Sequence, residues 1–378
     1  MTRTVVFAGG GTGGHIFPSL AVLERLRERD VPFEPHFFVS NRPLDEQILT
    51  KEHVGFTASP VRPLTVKPHQ LAGFLGAWRK GVNQARQELQ SRDVGAVVSM
   101  GGFVSGPAVV AAEEIGVPVA LVNLDAVPGK ANRKLARKAS QVFSAYRTQS
   151  LRAATPIGLP LRRAAVGDKG KAEARLALGI DANRPTLVVI GGSQGAQSMN
   201  RMMIKLAHKA RFVEAMRGWQ ILHVCGPGNE EEMLLGYEGC DINVSVIGFC
   251  DRVGLAWSAA TIAISRAGAG SVAEAWSNAT PTVFLPYPYH RDQHQRLNAM
   301  PLCNIGGALL MEDQIDPALN AREMIGVLRG LTENPGRCEA MVKTMHSSHP
   351  ADGADAIAQW VADRLMSPAV AEPVRQVA

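Results

Sequence analysis

The residue most suited to acid–base chemistry follows a glycine-rich stretch near the start of the chain. His15 comes directly after GGGTGG (9–14), which itself follows the apolar run VVFA. A histidine exchanges its proton near neutral pH, so His15 is a candidate general base. Glycines let backbone approach a ligand closely, and a helix that starts behind them favours anions. We therefore predict a ligand-binding turn here. The alternative is that the glycines serve strand–helix packing and His15 bonds to the neighbouring loop.

The first glycine stretch matches only part of a dinucleotide-binding motif. Gly9, Gly11 and Gly14 have the GxGxxG spacing, but Ser40 and Asn41 stand where an NAD site needs a carboxylate after the second strand. The Lys-Ser/Thr pair of a P-loop is also missing after the turn. The stretch therefore indicates close backbone approach to an anion, without pointing to NAD or ATP.

Three more glycine turns follow apolar runs along the chain. They are Gly101-Gly102 after GAVVSM, the stretch 191–195 (GGSQG) after TLVVI, and Gly268-Ala269-Gly270 shortly after TIAIS. Turns of this kind lie at the carboxyl ends of parallel strands, where open α/β sheets bind their ligands. Four such turns predict a ligand held between two glycine-lined domains.

Alternating strands and helices must position these turns. Short β-branched runs alternate with helical patterns, which predicts βαβ units and parallel sheets. The expected strands are 4–9, 35–40, 95–100, 118–123, 141–146, 186–191, 219–226, 244–249, 261–265 and 281–286. Residues 4–15 and 186–197 open alike, each with strand, glycine turn and helix. The predicted fold class is α/β, with two Rossmann-like domains that face each other across a cleft.

The domain boundaries follow from chain length and from prolines and glycines. A chain of 378 residues suits two domains, and such residues interrupt the periodic pattern between Thr155 and Pro185. We predict an N-terminal domain over 1–157 and a C-terminal domain over 158–345. A helix within 346–366 is expected to pack back on the core, and 367–378 to form a tail.

Composition limits the class of partner. Lys and Arg outnumber Asp and Glu by 40 to 34, a formal charge of +6 that suits an acidic ligand or an anionic membrane surface. Nucleic acid is not expected, because no RNA-binding or zinc-finger pattern accompanies the charge. The 5 cysteines include no CxxC pair, which favours a reducing compartment without disulfides or structural zinc. No signal peptide or membrane-spanning stretch is apparent, so we expect a protein that is soluble or attached to a surface.

Five motifs, taken in order, resemble the MurG family of N-acetylglucosaminyltransferases, which convert lipid I to lipid II in peptidoglycan synthesis. They are GGGTGGHIFPSLAV (9–22), MGGFVSGP (100–107), GGSQGAQSMN (191–200), SRAGAGSVAEAW (265–276) and HRDQHQRLNA (290–299). The resemblance implies a GT-B fold and an inverting mechanism without a metal or other cofactor. It implies that the donor is UDP-GlcNAc, held mainly by the C-terminal domain. It implies that the acceptor is MurNAc-pentapeptide linked to an undecaprenyl lipid, on the side of the N-terminal domain. It also implies peripheral attachment to the cytoplasmic face of the cell membrane.

The resemblance assigns roles to single residues. His15 would be the catalytic base, or part of the acceptor site, and take a proton from the 4-hydroxyl of the acceptor's muramyl sugar. Ser193, Gln194 and Arg162 would meet the pyrophosphate, and Glu274 the ribose hydroxyls. The full set of implied donor residues is Thr12, Gly13, Gly14, Arg162, Ser193, Gln194, Phe249, Glu274, His294 and Gln295. Within it, Phe249 would meet the uracil, while His294 and Gln295 occupy the place where the family reads the sugar hydroxyls.

Two patterns in this region allow other interpretations. Ser271 and Glu274 have the spacing of a helix capping box, which would occupy Glu274 without any ligand. His290, Asp292 and His294 are possible metal ligands by type. No Asp-x-Asp pair occurs in the chain, which agrees with the metal-free mechanism that the family implies.

The acceptor side departs from the family pattern. The family has His-Glu-Gln-Asn after the fifth strand, and this chain has Val122-Asn123-Leu124-Asp125; the tyrosine after the second glycine pair is Phe103. We expect Phe103, Asn123 and Asp125 on the acceptor side, with Asp125 replacing the carboxylate missing at position 123. The alternatives are a transferase for another lipid acceptor, a UDP-GlcNAc 2-epimerase, and a non-catalytic UDP-sugar-binding membrane protein.

Two segments predict contact with a membrane surface. The stretch 67–86 places Leu71, Phe74, Leu75 and Trp78 on one helical stripe with basic residues nearby, and 130–138 (KANRKLARK) has five cations and no acid. An apolar stripe beside basic residues is typical of proteins that rest on anionic bilayers. The alternatives are a core-facing stripe for the first segment and a solvated helix face for the second.

Overall fold

A computed structural model describes residues 2–11, 13–62, 68–151, 153–192, 195–348 and 350–366, with only the backbone for 68–71. The chain divides into two compact units. Unit 1 holds the chain up to Leu124, Pro128–Pro160 and the chain from Asp352, and unit 2 holds Asp125–Val127 and Leu161–Ala351. Thr12, Ser193, Gln194, the Leu71 side chain and the tail 367–378 lie outside what the structure describes.

Unit 1 is built on a parallel sheet of seven strands in the order β3-β2-β1-β4-β5-β6-β7. Its strands are β1 Arg3–Ala8, β2 Phe33–Val39, β3 Gly55–Ala58, β4 Val94–Ser99, β5 Val119–Asn123, β6 Gln141–Ser144 and β7 Thr155–Pro156. Its helices are α1 Gly13–Arg27, α2 Pro43–Lys51, α3 Pro68–Ser91, α4 Gly102–Glu114, α5 Lys130–Leu135 and, from the end of the chain, α15 Gly353–Met366. Strand β4 is buried along its whole length, as expected for a parallel sheet covered on both faces.

Unit 2 contains a second parallel sheet, of six strands in the order β10-β9-β8-β11-β12-β13. Its strands are β8 Thr186–Ile190, β9 Gln220–Val224, β10 Asn243–Ile247, β11 Ile262–Ser265, β12 Thr282–Phe284 and β13 Ala308–Leu310. Its helices are α6 Lys171–Ala177, α7 Gln197–Ala207, α8 Ala210–Ala215, α9 Glu230–Tyr237, α10 Val253–Ala259, α11 Ala269–Ser277, α12 His294–Asn304, α13 Pro317–Thr332 and α14 Pro335–Ser347, with a 3-10 turn at Arg163–Ala165. Both strand orders reverse beside the first strand of the unit, which is the Rossmann-like arrangement.

All ten predicted strands are present, each with bounds within two residues of the prediction. Strands β3, β7 and β13 were not predicted, because they are short edge strands that have little apolar sequence of their own. The described helices include none that is long and apolar enough to cross a membrane.

The last described helix, α15, belongs to unit 1 and packs against α1. Its buried residues Ile357 and Val361 cover that helix, and a Cβ on Gly95 of β4 would lie 2.5 Å from Cδ2 of Leu365. Arg25 Nε donates to Asp352 Oδ2 at 2.8 Å, which fixes the start of the helix. A segment far along the chain therefore completes the first unit.

Candidate active site

The first glycine turn, after β1, is held by a buried aspartate of α2. Asp45 Oδ2 accepts hydrogen bonds from the backbone nitrogen of Gly11 at 2.7 Å and from Ser40 Oγ at 2.6 Å. A Cβ on Gly10 would lie 2.5 Å from the same oxygen. Glycine is thus needed here because a carboxylate approaches the backbone. The Gly11 N–H already has a partner within the protein, which supports the packing interpretation for this part of the turn.

His15, in the first turn of α1, reaches the glycine turn that follows β4. A Cβ on Gly102 would lie 3.5 Å from His15 Nε2, and Gly102 has a φ of +77° that favours glycine. His15 is half-buried, Gly14 is exposed and Gly13 is buried. Since β1 and β4 are neighbours in the sheet, the fold brings the candidate base to the Gly101-Gly102 turn at the carboxyl edge.

A chain of buried amides lies behind the second glycine turn. The Gly102 N–H donates to Asn132 Oδ1 at 3.3 Å, and Asn132 Nδ2 donates to Asn123 Oδ1 at 3.1 Å. Asn123 Nδ2 in turn donates to Ser144 Oγ at 3.1 Å. Asn123 is only 1% exposed, so its position favours orienting the turn over touching a ligand. Asn132 was not predicted, because the basic residues around it indicated only a charged surface on α5.

The two other acceptor-side candidates lie at different places. Phe103 is half-buried in the first turn of α4. Asp125 belongs by its contacts to unit 2, where its Oδ1 accepts from Asn298 Nδ2 at 2.9 Å. Asn298 is fully buried in α12, and its Oδ1 also accepts from the Ala126 N–H at 2.8 Å. Asn298 therefore fixes the chain at 125–126 through both ends of its amide.

A cavity of about 510 Å³ lies in unit 2, beside the glycine turns that follow β8 and β11. Its described wall includes Gly191, Gly192, Gly195, Gln197, Ser198, Arg201, Arg266, Gly268, Ser271, Tyr287, Gln295, Ile315 and Pro317. The wall thus contains the predicted Gln295 and the glycines on either side of Ser193 and Gln194. It carries two arginines and, among the described residues, no carboxylate, so the cavity suits an anion.

The glycine turn after β8 allows backbone to line this cavity. Gly192 and Gly195 have φ values of +87° and +74°, and any Cβ on Gly195 would collide with the carbonyl oxygen of Cys225. Helix α7 begins at Gln197, directly after the turn. The N–H groups of a first helical turn lack partners within the helix and carry partial positive charge. Glycines at these positions and a helix start behind them are features that suit a phosphate group.

A buried ion pair holds Arg266, a residue of the cavity wall. Arg266 Nη1 lies 2.7 Å from Asp313 Oδ2, and Ser198 Oγ donates to the same oxygen at 2.6 Å. Burial alone would raise the pKa of Asp313, but hydrogen bonds from Ser198 and Asn320 and the charge of Arg266 hold that pKa below its usual value. Asp313 therefore stays ionised and holds Arg266 in place. This pair could not be predicted, because Arg266 lies in the glycine-rich stretch SRAGAG and Asp313 lies 47 positions later, outside the motifs.

The predicted sugar-binding pair sits at the start of α12. Gln295 Oε1 accepts from the backbone N–H of Tyr287 at 2.9 Å and lines the cavity. His294 Nδ1 lies 2.8 Å from Asp292 Oδ1, and its ring stacks on His290 with centroids 4.2 Å apart. The hydrogen bond to His294 lowers the pKa of Asp292. The residues that the structure describes contain no group of three or more His, Cys, Asp or Glu arranged to hold a metal ion.

Glu274 of α11 bonds to a tryptophan rather than to its own helix start. Its Oε2 accepts from Trp257 Nε1 at 2.9 Å, while the N-cap of α11 is Gly268, which has no side-chain cap. The capping-box interpretation is therefore wrong. Glu274 Oε1 points toward Gly270, 3.8 Å from where a Cβ would lie. Burial raises the pKa of the Glu274 carboxyl, and the Trp257 hydrogen bond opposes that rise.

The remaining donor candidates do not line the cavity. Phe249, which follows β10, is 46% exposed, a high value for a large apolar side chain. Arg162 is half-buried directly before the 3-10 turn. The described wall of the cavity includes neither of these, nor Glu274 or His294. It does include Arg201 and Arg266, which the sequence argument did not single out.

Comparisons with known proteins match this architecture along the chain. Residues 5–144 match the glycosyltransferase family 28 N-terminal domain, and residues 186–357 match the C-terminal domain of the same family. A Streptomyces avermitilis protein named UDP-N-acetylglucosamine–N-acetylmuramyl-(pentapeptide) pyrophosphoryl-undecaprenol N-acetylglucosamine transferase is 38% identical over 313 residues, 82% of this chain and 85% of that protein. The chain belongs to the MurG family.

Solved structures agree with the fold of a MurG protein. The crystal structure of Acinetobacter baumannii MurG is similar with a TM-score of 0.70 at 23% identity, over 96% of this chain and 99% of that one. A Neisseria meningitidis UDP-GlcNAc 2-epimerase bound to UDP-GlcNAc is similar with a TM-score of 0.64 at 14% identity, over 95% and 99%. At these identities the likeness concerns the fold alone, which is GT-B.

Proposed function

We propose that this MurG-family chain transfers GlcNAc from UDP-GlcNAc to undecaprenyl-pyrophosphoryl-MurNAc-pentapeptide, converting lipid I to lipid II. The observation that carries the proposal is the cavity of unit 2, whose glycine turn, helix start and arginines provide an anion site. Developing charge on a diphosphate leaving group is stabilised by such preorganised N–H groups and cations. The names of the family relatives supply the substrates.

The donor residues fall into four groups by the part of the donor that each is proposed to meet. The backbone at 191–195, with Ser193 and Gln194, and the side chain of Arg162 are proposed to meet the diphosphate. Glu274 offers its Oε1 to the ribose hydroxyls, while Trp257 fixes the other oxygen at 2.9 Å. The exposed ring of Phe249 is suited to the uracil, and Gln295, with His294 beside it, to the sugar hydroxyls. Arg201 and Arg266 add positive charge on the wall of the same cavity.

The reaction is a single displacement at C1 of the donor sugar. The 4-hydroxyl oxygen of the acceptor forms the new bond to C1, and the bond from C1 to the diphosphate oxygen breaks, so UDP leaves with the electron pair. Attack opposite the leaving group inverts the configuration at C1. His15 takes the hydroxyl proton on its imidazole, the side chain that most often serves as a general base. Its ring lies beside the Gly101-Gly102 turn, 3.5 Å from where a Cβ on Gly102 would be.

The acceptor is proposed to bind on unit 1 near that histidine. Thr12 is proposed to contact the substrates beside His15, together with Gly13 and Gly14 at the start of α1. Phe103 is proposed to pack against the acceptor sugar. Asn123 is proposed to orient the Gly101-Gly102 turn through its hydrogen bond to Asn132, which bonds to the Gly102 N–H. Asp125 is proposed to provide a carboxylate in place of the family's glutamate.

Peripheral attachment to the cytoplasmic face of the membrane accords with a lipid-linked acceptor. Part of the predicted α3 stripe packs inside the protein, since Trp78 stacks with Phe74 and a Cβ on Gly106 would lie 2.6 Å from its ring. Leu75 remains 50% exposed, and Arg79 is exposed on the same helix. On α5 the exposed basic residues include Arg133 and Lys134. These surfaces are proposed to rest on anionic lipid.

The experiment is lipid II formation from lipid I and labelled UDP-GlcNAc, run with a chelator present. We expect transfer with inversion that does not depend on added metal. The His15→Ala variant is expected to lose turnover and keep UDP affinity, and His346→Ala, at an exposed position on α14, to keep both. A folded wild-type chain that binds UDP and transfers nothing would refute the proposal, and release of ManNAc products without acceptor would identify an epimerase instead.

A further inference from the structure

Unit 1 carries a second cavity, of about 660 Å³, that the donor and acceptor assignments do not use. Its wall is formed by residues that follow β2 and β3 and by one face of α3. It therefore lies at the carboxyl edge of the sheet, the edge that also carries the first two glycine turns. Open α/β sheets bind ligands at this edge.

The wall of this cavity is polar in a particular way. It contains the side-chain amides of Asn41, Asn83, Gln84 and Gln87 and the ammonium group of Lys80. An amide both donates and accepts hydrogen bonds, as a peptide group does, and an ammonium group pairs with a carboxylate. The described wall contains no acidic residue to repel such a ligand. The chemistry suits a short peptide with a free carboxylate.

The cavity adjoins the turn that precedes the candidate base. Asn41, on its wall, lies between Ser40 and Arg42 in the chain. Arg42 Nη1 donates to the Gly11 carbonyl oxygen at 2.6 Å, and Asp45 links Ser40 Oγ to the Gly11 N–H. The residues on either side of Asn41 are thus linked by hydrogen bonds to the glycine turn that precedes His15.

The peptide of the acceptor is long enough to reach from the base to the cavity. It is carried on C3 of the muramyl sugar, next to the reacting 4-hydroxyl, so it starts beside His15. Neighbouring strands are about 4.8 Å apart, so the step from β4 across β1 and β2 to β3 is about 14 Å. Five extended residues span up to about 17 Å. The end of the peptide can therefore reach the part of the cavity wall at the end of β3, which Lys80 shares.

We infer that this cavity binds the peptide of the lipid acceptor, with Lys80 paired to a peptide carboxylate and the amides bonded to the peptide backbone. The inference rests on the proposed function, since it concerns the acceptor of that reaction. It gives unit 1 a means to distinguish a peptide-bearing muramyl lipid from a bare sugar lipid.

Acceptor kinetics in detergent micelles test this directly, with one acceptor that carries the pentapeptide and one that lacks it. Lys80→Gln is expected to raise the KM for the pentapeptide acceptor about 2- to 5-fold, as for loss of one exposed ion pair. Ala58→Trp, at an exposed position on the cavity wall, fills the space and is expected to raise that KM further. Neither variant should change the KM for UDP-GlcNAc or for the acceptor without peptide.

Arg27→Gln is the control, because Arg27 is an exposed cation at the end of α1 in the same unit and does not line the cavity. It removes the same charge from unit 1 and should leave both acceptor KM values unchanged. An unchanged KM in both cavity variants, or equal rises for the two acceptors, would overturn the inference and leave the proposed function intact. Wild-type protein that transfers to neither acceptor would overturn the proposed function, and this inference with it.

Discussion

The buried carboxylate of Asp313 offers the sharpest test of how the donor cavity is held. Its side chain is fully buried and takes bonds from Arg266 at 2.7 Å, Ser198 at 2.6 Å and Asn320 at 2.7 Å. Asp313→Asn keeps the size of the side chain and removes its charge. The amide group would then direct N–H donors at Arg266 and Ser198, so the guanidinium would lose its only described carboxylate partner.

The expected cost follows from that lost partner. Removing one member of a buried ion pair costs about 3–5 kcal/mol, because the remaining charge is left without compensation. For a domain of this size each kcal/mol lowers the melting temperature by about 2–4 °C, so the unit 2 transition should fall by about 6–20 °C. Asp316→Asn, three residues along, is the control: Asp316 caps α13 by accepting from Ala318 and Leu319, and asparagine caps a helix equally well.

Calorimetry of the wild type and both variants measures the effect, with UDP titration as a second readout. We expect Asp313→Asn to weaken UDP binding as well, since Arg266 lines the cavity. The pKa of Asp313 is lowered in the folded state, so its stabilisation is present above the unfolded pKa and is lost as pH falls below about 4. An Asp313→Asn variant that melts within about 2 °C of the Asp316→Asn control would refute the reasoning.

Three further outcomes are expected. Gly102→Ala should lower kcat without changing UDP affinity, because the new methyl group would lie 3.5 Å from His15 Nε2. Gly116 has the same φ of +77° and open space around it, so Gly116→Ala should lower only the stability of the fold. UDP affinity should rise as the pH passes through the raised pKa of Glu274, because only the carboxylate form accepts hydrogen bonds from two ribose hydroxyls. Calorimetric titration of the Glu274→Gln variant with UDP should show no such rise. Asn298→Ala should destabilise unit 2 by about 1–3 kcal/mol in thermal unfolding, because it removes the hydrogen bonds at both ends of the amide. An unchanged melting temperature would contradict the role given to Asn298.

The strands and the glycine turns could be predicted because their signals are local. An apolar run such as TLVVI is buried wherever it pairs, and a glycine turn behind it needs a positive φ, as at Gly192 and Gly195. Strand β13 was not predicted, because its three residues are too few to show a pattern of their own. Short edge strands depend on a neighbour that the sequence does not show.

The partners of the candidate site could not be predicted because they come from distant parts of the chain. An NAD site would need an acid at Ser40 or Asn41. The structure instead has Asp45 in the next helix, and its carboxylate bonds to the protein's own glycine turn. Asn132 is nine residues from Asn123 and within a segment selected for its charge. The carboxylate that holds Arg266 lies 47 positions further on, beyond β13. Such pairs exist only once the sheets have formed.

Because α15 is part of unit 1, that unit cannot be completed when the ribosome has finished its first 160 residues. The helix that covers α1 and β4 starts after position 352, and translation at about 5–20 residues per second takes roughly 10–40 s to cover the interval. During that time the apolar faces that Ile357 and Val361 will cover stay open to water and to chaperones. A fragment that ends near Pro160 would keep them open permanently, so unit 1 should be expressed only as part of the whole chain.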